Sequence, residues 1–350
     1  MDPRSTAGRP IASPAGALAE LPGAPERFAT LLAARQSTAA RIAALREKVA
    51  HASLPDRTAL VLFGSWGRGE LTGDSDIDWA LVVDDPDLAL EDPAVVRAVE
   101  TIRLLLEDEG APPGGQQMFG GAFHAWRLVD HIGLAEDDGA NLTRRMLLLL
   151  ESVAVTGPEI HQHVKRRVLE RYLSRQSRSH RPPRFLLNDI IRYWRTIAVD
   201  FEGKVAQDTR AASGEDKFVM RNAKLRTSRK LLYVSGLLPV LLCHYVQAGD
   251  MVDFLDEQFA ELATDRLARA FLHLGLAEPG ARTLAAYEEW IALLSDSDNR
   301  AVLETLTEQT RDADVLFARV RRLGNGLDNG LLALLHETEL APVTRRYVTI

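Results

Sequence analysis

Two short apolar runs, residues 58 to 63 (Thr-Ala-Leu-Val-Leu-Phe) and 77 to 83 (Ile-Asp-Trp-Ala-Leu-Val-Val), interrupt a chain whose other hydrophobic residues recur mainly at helical spacing. Each run has the length and content of a buried strand. Before them, Phe28, Leu31, Leu32, Ile42, Leu45 and Val49 predict an amphipathic helix between Pro25 and Ala52. After them, Asp92-Pro93 opens a helix whose buried stripe is Val95, Val96, Val99, Ile102, Leu105 and Leu106, closed by the Gly- and Pro-rich stretch 110 to 115. Residues 122 to 132 suit a third strand, although Phe119, Phe123, Trp126 and Val129 also fit a helix.

Beyond Gly139 the pattern is helical alone. Asn141-Leu-Thr143 can cap a helix to about Val155, stopped by Thr156-Gly157-Pro158, and further helices run over 159 to 173, 184 to 206 and 217 to 242, with shorter ones to about Leu335. Residues 1 to 24 are rich in Ala, Pro, Gly and Ser without apolar period and read as a disordered leader. The expected organisation is therefore a leader (1–24), a small α/β unit (25–139) and an α-helical domain (140–350). The fold class is α+β, a small mixed sheet followed by a mostly helical domain.

The composition narrows the partners. A net charge of −7 in 350 residues offers no global attraction for nucleic acid or an anionic membrane, so a polyanion needs a local basic patch. The single Cys243 excludes an internal disulfide and a cysteine-based zinc site, as suits a reducing cytoplasm. The most apolar stretch, Leu231 to Val246, is broken by Gly236, Pro239 and His244 and is too short to span a bilayer comfortably.

Chemistry is concentrated between the two predicted strands, in Phe63-Gly-Ser-Trp-Gly-Arg-Gly-Glu-Leu71 and Ser75-Asp-Ile-Asp-Trp79. Period two puts Asp76 and Asp78 on one strand face. Carboxylates held that close repel unless a divalent cation lies between them, and hard oxygen ligands suit Mg²⁺. The glycines admit backbone N–H groups to a polyphosphate. These residues resemble the nucleotidyltransferase superfamily, whose signature is a Gly-Gly or Gly-Ser turn followed by an Asp-x-Asp strand. Gly-Ser-x-Gly-Arg-Gly-Glu-Leu-x-x-x-Ser-Asp-Ile-Asp most resembles the PII-protein uridylyltransferases and related stand-alone nucleotidyltransferases, over about residues 58 to 84.

The resemblance implies a catalytic α/β domain and a helical domain closing over it. It implies Asp76 and Asp78 as ligands of Mg²⁺, with two ions expected, and Gly64 and Ser65 as contacts of the triphosphate. Arg68 is the nearby cation, with an ion pair to Glu70 or Asp74 as its alternative role, and Ser75 is expected to cap the strand start and orient Asp76. Family members add a third carboxylate from a later strand. Asp130 is the candidate if 128 to 132 is a strand, with Asp137 and Asp138 as rivals. In the helical half Lys217, Arg221 and Lys224, with Ser228 on the same stripe, are candidates for the β- and γ-phosphates, against the alternative of a solvated basic face. Asn188 and Asp189, beside Arg192 and Arg195, fit the base, the acceptor or an ion-pair network. Trp66 and Trp79 are candidates for base stacking or for the core.

The expected activity is Mg²⁺-dependent transfer of a nucleoside monophosphate from a nucleoside triphosphate, such as ATP, to a protein or small-molecule acceptor. The competing reading is a catalytically weak nucleotide-binding protein of regulatory or antitoxin-like kind. RNA tailing fits less well, since the chain is acidic and shows no aromatic-basic strand platform.

Overall fold

The computed structural model describes residues 16–73, 75–107, 109, 118–210 and 218–348, without the side chains of 206–210. The chain divides into two compact units, one spanning Ala33–Arg175 and the other formed by the residues up to Leu32 together with those from Gln176 onward. The sequence places the boundary between the α/β unit and the helical domain at about Gly139. The α/β unit instead runs on through a further strand and two helices.

The unit is built on a four-stranded mixed sheet of order β3-β2-β1-β4. The long helix α1 (Ala29–Val49) leads to β1 (Thr58–Phe63), the single turn α2 (Ser65–Arg68) and β2 (Trp79–Val83). Then come α3 (Pro93–Leu106), β3 (Gly121–His124), α4 (Ala125–Asp130), α5 (Gly139–Leu150), β4 (Ser152–Ala154) and α6 (Pro158–Leu173). β1 pairs antiparallel with both β2 and β4, and β3 joins β2 in parallel. Every residue of β1 and β2 is buried, which is why both read as continuous apolar runs rather than as alternation. On one sheet face Leu60, Leu62, Ile77, Trp79 and Leu81 pack with Ile42, Leu45 and Val49 of α1 and with Val95, Ala98, Ile102 and Leu106 of α3. Trp66 belongs to this core, so both tryptophans beside the motif are packing residues.

Asp92 caps α3 as expected, its Oδ1 accepting from the Ala94 N–H at 2.7 Å. The predicted stripe holds at Val95, Val99, Ile102, Leu105 and Leu106, while Val96 is 53% exposed and Ala98 is buried as well. α5 is capped by Asp138 rather than by Asn141, and it stops at Leu150 to make way for β4. Three residues are too few to show a period of two, so the sequence hid this strand inside an apparent helix.

The second unit is helical, with α7 (Arg184–Arg210), α8 (Phe218–Lys224) and α9 (Lys230–Leu242) followed by further helices to Tyr347. The expected leader is in part folded. Ala17, Leu18 and Leu21 are buried, and the Leu18 N–H donates to Asp265 Oδ1 at 2.9 Å. The 3₁₀ turn Ala17–Glu20, within the described residues, is too short to show periodicity. Among the described residues no helix is long and apolar enough to cross a membrane.

Candidate active site

β1 ends at Phe63, and the chain turns at Gly64 with φ +67° and ψ −134°, a combination that side-chain-bearing residues avoid. The turn is then locked: Arg68 N–H donates to Gly64 O at 3.0 Å, Glu70 N–H to Ser65 O at 2.9 Å, and Gly69 closes α2 in the left-handed region at φ +67°. A Cβ built on Gly64 would lie 3.4 Å from Asp78 Oδ2. The bare turn and the second acid of the motif are therefore in direct apposition. Gly67 meets a harder constraint, since a Cβ there would fall 2.1 Å from Glu151 O, so α2 seats against the backbone that starts β4.

The acids lie in an extended lead-in to β2 rather than within it, the strand beginning at Trp79 and not at Ile77. The ladder nevertheless reaches Asp78, whose carbonyl accepts from the Phe63 N–H at 2.9 Å. Ile77 and Trp79 point into the core while Asp76 is exposed and Asp78 half-buried, the alternation that a pleated segment requires. Asp78 then stands in a row that crosses the sheet. Phe63 pairs with Ser152, the β1–β2 register places it opposite Asp78, and the parallel register of β3 brings Phe119 level with Asp78. The rings of Phe63 and Phe119 meet at 5.2 Å between centroids. Cross-strand partners share a face, so Ser152, Phe63, Asp78 and Phe119 all lie opposite α1 and α3.

Arg68 makes the ion pair with Glu70 that is the alternative to a phosphate contact. Its Nε donates to Glu70 Oε2 at 2.7 Å and its Nη1 to Glu151 Oε2, and both glutamates are buried. One guanidinium thus ties the Gly-Ser turn to the start of β4. Ser75 braces the loop ahead of the acids: its Oγ accepts from the Thr72 N–H at 3.1 Å and its own N–H donates to Thr72 O at 3.2 Å.

The expected third carboxylate finds no place on a strand. Asp130 is exposed at the end of α4, because 125 to 130 form a helix directly after the short β3. Asp137 accepts two hydrogen bonds from Arg145, each at 2.9 Å, and Arg145 Nε also donates to Tyr172 OH at 2.6 Å inside the unit. Asp138 is the cap of α5. From Gly110 to His124, the approach to β3 and the strand itself, the sequence contains no Asp or Glu. Among the described residues no three His, Cys, Asp or Glu side chains gather as a metal cluster.

In the basic stripe, Lys217 lies outside the described residues. Arg221 and Lys224 are on α8, in the helical unit. The stripe does not continue to Ser228, because Leu225–Arg229 is a π-helical turn, and Ser228 is buried with its Oγ accepting from Trp290 Nε1 at 3.0 Å. Asp189 pairs with Arg192 at 3.6 Å, the blander of the two expectations for that cluster.

His161 and His163, two apart on a helix, point away from each other and so do not suggest a metal pair, but His161 has a structural place of its own. His161 of α6 is buried, with Nε2 2.7 Å from Ser152 Oγ, and burial, followed by the charge of Lys165, pushes its pKa down to about 3. The only available signal was its place on the apolar stripe with Val164 and Val168.

Residues 22–126 match the model of the family described as "Putative nucleotidyltransferase DUF294", which supports the likeness of this segment to the nucleotidyltransferase superfamily. A search of curated proteins finds no match to the chain.

Proposed function

We propose that the protein is a Mg²⁺-dependent nucleotidyltransferase that passes a nucleoside monophosphate from a nucleoside triphosphate to a protein or small-molecule acceptor. The observation that carries the reading is the apposition of Gly64 to the Asp78 carboxylate, within a segment of nucleotidyltransferase type. The bare backbone of Gly64 and Ser65 leaves room for phosphate oxygens beside the acids. Asp76 and Asp78 are the donors for Mg²⁺, and as two hard carboxylates on one face they fit an ion whose remaining ligands are water and phosphate oxygens. When bound, Mg²⁺ supplies neutralisation of phosphate charge and of the departing pyrophosphate. The chain's own part is positioning. The Arg68 clamp fixes the turn, and Ser75 fixes the loop that presents Asp76. In the transfer, a bond forms between the acceptor's oxygen or nitrogen and the α-phosphorus, the bond to the bridging α,β-oxygen breaks, and pyrophosphate leaves with the electron pair.

A second reading is favoured by the acid-free β3. If β3 brings no carboxylate to take the acceptor's proton, the protein would bind nucleotide and turn it over poorly, acting as a regulatory partner. One experiment separates them. The wild type and the Asp76→Ala/Asp78→Ala double variant are each incubated with the four triphosphates, Mg²⁺ and a lysate as acceptor source. Mg²⁺-dependent pyrophosphate release, with a covalent mass gain of one nucleoside monophosphate on an acceptor, is expected from the wild type alone. Nucleotide binding without release in any of the four supports the second reading.

A further inference from the structure

The face that carries Asp78 also carries a buried cation, Lys165 of α6, whose residue is 4% exposed. Three anchors fix how α6 lies on the sheet. It starts beside the beginning of β1, since a Cβ on Gly157 would fall 2.4 Å from Thr58 O. One flank is held where β2 ends: Arg167 Nη1 donates to Asp84 Oδ1 at 2.7 Å, and the Asp84 N–H donates to Arg57 O at 2.9 Å. The other flank is held where β1 ends, through His161 and Ser152, the partner of Phe63. Lys165 is one turn beyond His161 and about 200° around the helix from Arg167, so it belongs to the flank that faces the acids. His161 is held low by burial first and by the Lys165 charge second, as the place of both residues on one flank of α6 leads one to expect.

We infer that Lys165 is a positioning residue of the acid site, a resident cation that fills the electrostatic place of a second divalent ion and so limits the site to one. The inference rests on the reading of Asp76 and Asp78 as metal ligands. Charge supports it: two carboxylates and one ammonium leave a single negative charge, enough for one divalent ion completed by phosphate oxygens. The acid-free β3 supplies no further anionic ligand for another.

The test is a Mn²⁺ titration followed by electron paramagnetic resonance, on the full chain without nucleotide. The wild type is expected to take up one Mn²⁺. Lys165→Met and Lys165→Gln are expected to bind it about 10-fold more tightly, since a competing positive charge is gone, and Lys165→Arg to stay within about twofold of wild type. A merely structural lysine would weaken binding when removed, never tighten it, and circular dichroism confirms that each variant is folded. Unchanged or weaker binding in the folded Met and Gln variants, or two Mn²⁺ in the wild type, overturns the inference. Adding Asp76→Ala and Asp78→Ala should abolish uptake in every background. Uptake that survives those changes overturns the metal-site reading itself, and the role of Lys165 with it, whereas uptake that needs the aspartates and ignores Lys165 overturns the lysine's role alone.

Discussion

Two pairs of carboxylates, Glu70 with Glu151 and Asp76 with Asp78, are treated by the fold in opposite ways. Glu70 and Glu151 are buried and share the guanidinium of Arg68. Asp76 is exposed, and Asp78 is half-buried with a carboxylate oxygen facing the bare Gly64. Acids that serve architecture are sealed in with a cation because an uncompensated buried charge is costly. The acids to which the proposed chemistry is assigned are set instead in the lead-in to a strand, beside a glycine turn. Residue type alone does not separate the two pairs. Their surroundings do.

The contrast can be broken most forcefully at the exposed pair. Asp76→Ala with Asp78→Ala should remove metal-dependent pyrophosphate release, by about 10³-fold or more if the acids hold the catalytic ion, while the melting temperature stays near that of the wild type. Arg68→Ala should do the reverse. It leaves two buried carboxylates without their partner and should cost about 3–5 kcal/mol of stability in urea unfolding, with Arg68→Lys recovering only part because it cannot fork to two acids. Gly64→Ala sits between the two classes. It forces a side chain into glycine-only backbone space and should cost about 1–3 kcal/mol, with turnover falling beyond what the residual folded fraction explains, because the new methyl lies against Asp78.

At neutral pH the smallest effect expected is that of His161, and below about pH 6.5 it has a definite sign. Its folded pKa is near 3 against an ordinary value of 6.5, so between these values the unfolded chain binds the additional proton. The contribution of the neutral, buried ring is complete above about pH 6.5 and is lost as the pH falls toward 3. His161→Gln should flatten stability against pH in that window, by at most about 1.4 kcal/mol per pH unit, and leave it unaltered above pH 7. Urea unfolding at pH 4.5, 5.5 and 7.5 measures this.

Much of the site was legible because its signals are local. The apolar runs of β1 and β2, the glycines at 64, 67 and 69 and the alternation through Asp76 and Asp78 all lie within about 26 residues of one another, and the mixed-sheet α+β fold follows from them. What stayed hidden depends on distant partners. Glu151, the second acid on Arg68, is 83 positions downstream, and no spacing rule links the two. Asp130 was misassigned to a strand because β3 is only four residues long and gives way to a helix without any Gly or Pro between them. The expected run through Ser228 failed because a π turn adds a residue to the helical cycle at 225 to 229, which no sequence periodicity announces.

β4 enters the sheet last, from beyond the segment that matches the family model, and it pairs with the outer side of β1. Until residues 152 to 154 leave the ribosome, the nascent sheet has an apolar, unprotected margin ready to recruit a strand from another chain. A fragment cut at Trp126 would keep the whole Gly-Ser and Asp-x-Asp signature and still be left with that margin open, so it should precipitate, whereas one extended through Arg175 should remain in solution.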